Sequence, residues 1–228
     1  MAITTCIFDA YGTLFDVAAA ARLAAAEPGQ DALAANWPKL AEDWRRKQLE
    51  YTWLRAITRN HTDFRQVTEE GLDWAMEASN LSDDALRSRL MALYDELPAY
   101  AEVPEMLKAL KEMGFATAIL SNGSPSMLNA AISSAGLSAV LDAVLSVEEV
   151  GIFKPDARVY DMVGARFGTR PDQVLFVSSN GWDAAGAAGF GFVTAWVNRA
   201  GLPMDRLPHR PAHVLSNLTR IPELASSL

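Results

Sequence analysis

The sequence predicts an α/β protein: a parallel sheet covered on both faces, with a helical block inserted after its first strand. From residue 100 onward, short apolar runs alternate with helix patterns, whereas residues 16–98 contain no convincing strand. Continuous apolar strands are typical of parallel sheets that are buried on both sides. The 228 residues are ample for one such domain and a smaller insertion. We therefore expect a core of residues 1–15 and 99–228 and a helical subdomain of residues 16–98.

The first strand is an apolar run over residues 3–8, and an acid follows it directly. Gly12 and Thr13 then bend the chain sharply just past Asp9. Ligands of α/β sheets bind at the carboxyl edge of the strands, so Asp9 is a candidate nucleophile or metal ligand. An Asp that caps the turn is the alternative interpretation of the same residue.

The helical block is clearest in two segments. Apolar residues at helical spacing predict a helix over residues 44–58. Ser82, Asp83 and Asp84 provide an N-cap for a second helix that ends near Leu93. A block inserted after the first strand would lie over the carboxyl ends of the strands, where a ligand would bind.

Strands and helices alternate in the rest of the chain. Pro104 and Pro125 each suit the first turn of a helix, Gly114 closes the first of these helices, and Ser124 is the expected N-cap of the second. Two further helices are predicted, over residues 158–167 and over a small-residue segment ending at residue 189. The remaining predicted strands cover residues 115–120, 143–147, 174–177 and 192–197, the last of the sheet.

Composition and charge exclude several classes of protein. A formal net charge of −8 and a pI near 4.9 disfavour nucleic acid as a partner. No apolar run is long enough to cross a bilayer, and the N-terminus lacks the pattern of a secretory signal. The single Cys6 fits a reducing compartment. We therefore expect a cytoplasmic protein with neither a nucleic-acid nor a membrane partner.

Polar residues follow the ends of four apolar runs. They are Asp9, Ser121 with Asn122, Lys154, and Asn180 with Asp183. Each alone has an ordinary interpretation as a turn, surface or helix-terminus residue. Because parallel strands bring these ends to one edge of a sheet, the four groups can instead converge on one pocket.

In order and spacing, these residues resemble the motifs of the haloacid dehalogenase superfamily. The matching motifs are Asp9-Ala-Tyr-Gly-Thr13, Leu120-Ser-Asn122, Lys154-Pro155 and Ser178-Ser-Asn-Gly-Trp-Asp183. The resemblance covers essentially the whole chain. It implies a Rossmann-like parallel-sheet core with an inserted helical cap, and an aspartate nucleophile at Asp9.

One departure separates this chain from most of that superfamily, whose members are magnesium-dependent phosphatases. They carry a second Asp two residues after the nucleophile, which acts as acid and base and binds the metal through its backbone. Here that position is Tyr11, and a phenol is largely protonated at neutral pH. The departure favours the branch that attacks carbon and implies no metal and no cofactor.

Within the superfamily, the chain resembles the L-2-haloacid dehalogenases. The matching fragments are residues 8–17, 46–55, 119–125 and 176–183. The resemblance implies hydrolytic dehalogenation of short-chain L-2-haloalkanoic acids to D-2-hydroxy acids with inversion, via an Asp9 ester. It also implies that the protein is a homodimer. The small molecules that it is expected to bind are a 2-haloacid substrate and a halide product.

The resemblance also implies a role for each matching residue. Asp9 attacks the carbon that carries the halogen, Lys154 pairs with Asp9, and Asp183 is the candidate base for the hydrolytic water. The set that positions the nucleophile and activates water on the ester comprises Thr13, Tyr160, Ser178, Asn180 and Asp183.

Further residues are expected to bind the substrate. Arg45, helped by Asn122, meets the leaving halide, and Ser121 with backbone amides near Tyr11 holds the carboxylate. The alkyl pocket is expected to consist of Tyr11, Leu49, Phe64 and Trp182.

Arg46 follows Arg45 where the family usually has Gln. Adjacent helix residues point about 100° apart, so both cannot face the halide equally. We expect Arg45 to face it, because Arg45 is in register with Leu49.

Two other functions stay open at this point. One is a magnesium-dependent phosphatase on the same fold, which metal dependence would reveal. The other is a catalytically silent binding protein, which the loss of Asp9, Lys154 or Asp183 would indicate; none of the three is lost.

Overall fold

A parallel sheet forms the centre of the computed structural model, which describes residues 2–228. Its strands are β1 (Thr5–Phe8), β2 (Ala116–Ser121), β3 (Ala143–Ser146), β4 (Val174–Ser178), β5 (Val193–Val197) and β6 (His213–Leu215). They lie in the order β3-β2-β1-β4-β5-β6, and each neighbouring pair is parallel. The α/β fold with a parallel sheet is confirmed.

The strand order places the end of β1 at a topological switch point. The chain moves from β1 outward to β3 on one side of the sheet and then returns to β4 on the other side of β1. The crevice outside the carboxyl ends of the strands at such a reversal is where these folds bind ligands. Asp9 follows β1 directly and therefore lies at this crevice.

Five helices follow β1 and form the helical cap. They are α1 (Ala19–Ala25), α2 (Asp31–Ala34), α3 (Trp37–Thr58), α4 (Phe64–Ala78) and α5 (Asp84–Asp95). Helix α3 begins at Trp37, seven residues before the predicted start at residue 44, because Pro38 suits its first turn. The Trp44 indole joins α3 to α4 by donating to the Thr68 carbonyl at 2.8 Å.

The helical cap connects to the core through two chain crossings that run side by side. The Asp16 amide donates to the Pro98 carbonyl at 3.0 Å, and the Tyr100 amide donates to the Leu14 carbonyl at 2.9 Å. Phe15, at the first crossing, is fully buried. The cap is thus hydrogen-bonded to the core at the point where it leaves and rejoins it.

Five more helices complete the core. They are α6 (Val103–Glu112), α7 (Pro125–Ser134), α8 (Ala157–Phe167), α9 (Gly181–Phe190) and α10 (Ile221–Ser227). Ser124 occupies the N-cap position of α7 as predicted, but its hydroxyl makes no capping bond; it lies 3.3 Å from the Ser126 hydroxyl. Within residues 2–228, no helix combines the length and apolarity needed to cross a membrane.

The prediction that residues 192–197 form the last strand is wrong, because β6 follows at the edge of the sheet. β6 has only three residues, and Val214 at its centre is exposed. An edge strand this short has no apolar run or alternation to mark it, and pairing with β5 is what makes it a strand.

Helix α9 packs closely on α8 because its side chains are small. A Cβ atom added at Gly186 would lie 2.7 Å from the Tyr160 hydroxyl and 2.8 Å from Pro155 Cβ. This close approach brings the Tyr160 hydroxyl to within 2.8 Å of the Asp183 carboxylate, near the start of α9.

We expect Gly186→Ala to lower the free energy of unfolding by about 1–3 kcal/mol, because the added methyl group overpacks this contact. Gly164→Ala is the matched control: it is also helical, and its added Cβ would make only an ordinary contact, at 3.4 Å. The control should be neutral or stabilising by up to about 1 kcal/mol. Equal stability of the two variants in urea unfolding would contradict the packing argument.

Candidate active site

The carboxylate of Asp9 is buried and held from three directions. Its Oδ2 accepts hydrogen bonds from Thr13 Oγ1 at 2.8 Å and from Asn180 Nδ2 at 3.0 Å. Its Oδ1 accepts one from Lys154 Nζ at 3.2 Å. Because these donors come from the loop after β1, the start of α9 and the loop after β3, the fold itself fixes the orientation of the carboxylate.

The turn after Asp9 brings Thr13 back to it. Gly12 has a φ of +88°, which a residue with a side chain rarely adopts. The Thr13 hydroxyl donates to Asp9 and accepts from the Ser179 amide at 2.8 Å. Ser179 was not among the predicted site residues. The one feature of the sequence that could have identified it is its position between Ser178 and Asn180, which were both predicted.

Lys154 lies between two carboxylates inside the protein. Its side chain is 1% exposed, and Nζ is 3.2 Å from Asp9 Oδ1 and 2.9 Å from Asp183 Oδ2. Burial alone would lower the pKa of Lys154, but the charges of Asp183 and Asp9 outweigh it and raise that pKa above its usual value. Lys154 is therefore a cation at neutral pH.

Asp183 is completely buried and is held by Lys154 and Tyr160. Burial raises the pKa of Asp183, and the Asp9 carboxylate adds to this, while Lys154 and the Tyr160 hydroxyl oppose it. Burial and the Asp183 charge raise the pKa of Tyr160 well above 10, so the phenol remains a donor. An acid with a raised pKa is better suited to accept a proton from water.

Ser178 contacts Asn180 rather than Asp9. Its hydroxyl accepts a hydrogen bond from the backbone amide of Asn180 at 3.1 Å. It thereby shapes the turn from β4 into α9, which aims the Asn180 side chain at Asp9.

Arg45 extends from α3 of the cap to the core. Its Nη2 donates to the Tyr11 carbonyl at 3.0 Å and to Asn180 Oδ1 at 3.3 Å, and its Nη1 donates to Gln48 Oε1 at 2.7 Å. Arg46 instead pairs with Asp43 at 2.8 Å, and its side chain is 48% exposed. Of the two adjacent arginines, the one in register with Leu49 faces the candidate site.

A small cavity lies beside Asp9, between the cap and the core. Its walls are formed by Asp9, Tyr11, Arg45, Leu49, Phe64, Ser121, Asn122, Lys154, Asn180 and Trp182. The Tyr11 ring stacks on Phe64, with centroids 5.5 Å apart. Asn122 Oδ1 accepts a hydrogen bond from the backbone amide of Lys154 at 2.9 Å. The side-chain nitrogen of Asn122 is left available to a ligand. One end of the cavity is thus apolar and the other carries donors.

Larger clefts exist elsewhere but gather no comparable chemistry. One cleft of about 550 Å³ is lined partly by Arg55, His61 and Arg158. Each of these pairs with an acid, namely Glu70, Glu148 and Asp156 respectively.

The donor set around Asp9 does not fit a divalent cation. Mg²⁺ is bound by oxygen ligands, but the oxygens that would supply them already accept hydrogen bonds from other side chains. Lys154 lies between the Asp9 and Asp183 carboxylates, and the Tyr11 carbonyl accepts from Arg45. Throughout the described residues 2–228, no group of three or more His, Cys, Asp and Glu side chains is placed to hold a metal ion.

The chain is similar to known proteins over nearly its whole length. A sequence model of haloacid dehalogenase-like hydrolases matches residues 3–191. (S)-2-haloacid dehalogenase 1 of Pseudomonas sp. (strain CBS-3) is 44% identical over 97% of this chain and 96% of its own. A crystal structure of a dehalogenase with an intermediate complex has a TM-score of 0.93 and 41% identity, covering 99% of this chain and 98% of that one.

A further solved structure carries a bound molecule. It is L-2-haloacid dehalogenase from Xanthobacter autotrophicus with chloropropionic acid covalently bound, with a TM-score of 0.85 and 35% identity over 97% of this chain and 98% of that one. Sequence and fold therefore agree: the chain belongs to the haloacid dehalogenase-like hydrolase family and, within it, to the (S)-2-haloacid dehalogenases.

Proposed function

We propose that this protein hydrolyses short-chain L-2-haloalkanoic acids to D-2-hydroxy acids, with inversion, through an ester on Asp9. The observation that carries the proposal is the juxtaposition of Asp9 and Arg45. A buried carboxylate held by three donors shares a small cavity with a fixed guanidinium. The chloropropionic acid bound covalently in the Xanthobacter autotrophicus protein supports an ester intermediate.

The first step is a displacement at the carbon that carries the halogen. Asp9 Oδ1 attacks this carbon, the carbon–halogen bond breaks, and its electron pair leaves with the halide. We assign the attack to Oδ1 because Oδ2 already accepts from Thr13 and Asn180. Negative charge moves from Asp9 to the halide, so the Arg45 guanidinium, helped by the Asn122 amide, binds the transition state more strongly than the substrate.

The rest of the cavity orients the substrate. Ser121 and the backbone amides near Tyr11 bind the carboxylate. Tyr11, Leu49, Phe64 and Trp182 surround the alkyl group, consistent with their place in the wall of the cavity. This arrangement limits the substrate to a short chain.

The second step hydrolyses the ester and regenerates Asp9. Asp183 takes a proton from water, and the resulting hydroxide attacks the carbonyl carbon of the Asp9 ester. The bond from that carbon to the ester oxygen breaks, the ester oxygen takes the proton from Asp183, and the product leaves with that oxygen as its hydroxyl. The second proton of the water passes to solvent, which leaves Asp9 as a carboxylate again. Tyr160 and Lys154 hold Asp183, while Ser178 shapes the turn from which Asn180 donates to Asp9. Displacement occurs only once at the chiral carbon of the substrate, and a single displacement inverts its configuration.

The homodimer implied by the family resemblance stays a prediction.

Halide release is the direct test of the reaction. Purified protein in excess EDTA should release chloride from L-2-chloropropionate and not from the D form, and Asp9→Asn should release none, because it lacks the nucleophile. Ion chromatography measures the chloride. Hydrolysis of p-nitrophenyl phosphate with added magnesium, together with no chloride from either isomer, would indicate a phosphatase instead.

The ester route predicts where the new oxygen comes from. With enzyme in excess over substrate in ¹⁸O-water, the first product should carry unlabelled oxygen, because that oxygen was part of Asp9. The label should appear in the Asp9 carboxylate, which mass spectrometry of the protein can detect. Full label in the first product would instead mean that water attacks the substrate directly.

The neighbouring arginines provide a matched pair of variants. Arg45→Ala should lower kcat by about 10²–10³-fold, because it removes a preorganised donor from the developing halide. Arg46→Ala should leave kcat within about two-fold, since Arg46 is half exposed and pairs with Asp43. Equal losses in steady-state kinetics would show that the register of α3 was misassigned.

A further inference from the structure

A buried polar network lies behind Arg45, inside the cap. Gln48, Thr68 and Tyr94 are between 0% and 3% exposed. Gln48 Oε1 accepts from Arg45 Nη1 at 2.7 Å, and Gln48 Nε2 donates to Thr68 Oγ1 at 2.7 Å and to Tyr94 Oη at 3.0 Å. The network therefore connects α3, which carries Arg45, to α4 and α5.

The hydrogen-bond directions allow only one orientation of the Gln48 amide. Thr68 Oγ1 donates its single proton to the Phe64 carbonyl at 2.7 Å, so it can only accept from Gln48. The amide nitrogen of Gln48 must then face Thr68. Its carbonyl oxygen is left facing Arg45, where it is an acceptor for the guanidinium.

Packing alone does not call for an amide at this position. A buried amide is unfavourable unless it is hydrogen-bonded, and an apolar side chain of similar size would fill the same space. The α3 stripe made of Leu40, Trp44, Gln48 and Thr52 is buried but half polar. Gln48 is the member of that stripe whose side chain bonds to a residue of the candidate site.

We propose that Gln48 is a positioning residue that holds the Arg45 guanidinium where the leaving halide develops its charge. The inference rests on the proposed function. The core binds the guanidinium at Tyr11 and Asn180, and Gln48 binds it from the cap. A guanidinium on a flexible stem needs contacts on both sides to stay in one place, and a displacement of about 1 Å can cost about 10²-fold in rate.

The test compares two leaving groups in Gln48→Met, which keeps the size of the side chain and removes its hydrogen bonds. We expect kcat for L-2-chloropropionate to fall on the order of 10²-fold and kcat for L-2-bromopropionate to fall less. Bromide leaves more easily than chloride and depends less on Arg45. The bromide-to-chloride ratio of kcat should therefore rise, and a ratio measured on one preparation does not depend on its folded fraction.

Thr52→Val is the matched control. Thr52 is buried one turn further along α3, and its hydroxyl bonds to the Leu49 carbonyl rather than to Arg45. The bromide-to-chloride ratio of kcat in Thr52→Val should equal that of the wild type. If Gln48→Met is insoluble, Thr68→Val tests the same idea, because it removes the acceptor that orients the Gln48 amide and should raise the ratio in the same direction.

A double-mutant cycle separates positioning from a general structural effect. In an Arg45→Lys background, Gln48→Met should lower kcat only slightly further, because the guanidinium it positions is gone. An unchanged ratio in the single variants, or multiplied losses in the double variant, would overturn the role of Gln48. A wild type that releases no halide would overturn the proposed function itself, before any variant is compared.

Discussion

The structure depends on one buried charge arrangement, the Lys154 ammonium between the carboxylates of Asp9 and Asp183. A charge buried without a partner costs several kcal/mol, so each member of the triad requires the others. The three residues come from the end of β1, the loop after β3 and the first turn of α9. The parallel sheet brings these segments to one edge, and this places the three charged groups in contact.

Tyr11 lies beside the triad without adding a third carboxylate to it. The cation that lies between the two carboxylates belongs to the protein, and the Tyr11 carbonyl binds Arg45. The Tyr11 side chain is then free to serve as an apolar wall, stacked on Phe64 of the cap. Tyr11 therefore binds Arg45 through its backbone and shapes the cavity through its ring.

The cap contributes the one arginine in the wall of the cavity. Arg45 is anchored within the cap by Gln48 and in the core by Tyr11 and Asn180. The residues proposed to attack and those proposed to bind the leaving group thus belong to different subdomains. The site is therefore complete only where the cap lies on the core, and the paired chain crossings near Phe15 join the two parts by hydrogen bonds.

The amino-acid sequence by itself determined the α/β class and which strand ends carry the polar groups, because apolar strands and the residues that follow them are local patterns. The motif at Asp9 and the arginine in register with Leu49 could likewise be located without coordinates. Three features depended on tertiary structure: the edge strand at Val214, the contact of Ser179 with Thr13, and the polar network at Gln48. Each exists because residues distant in sequence supply its hydrogen-bond partners, and no local pattern records such a partner.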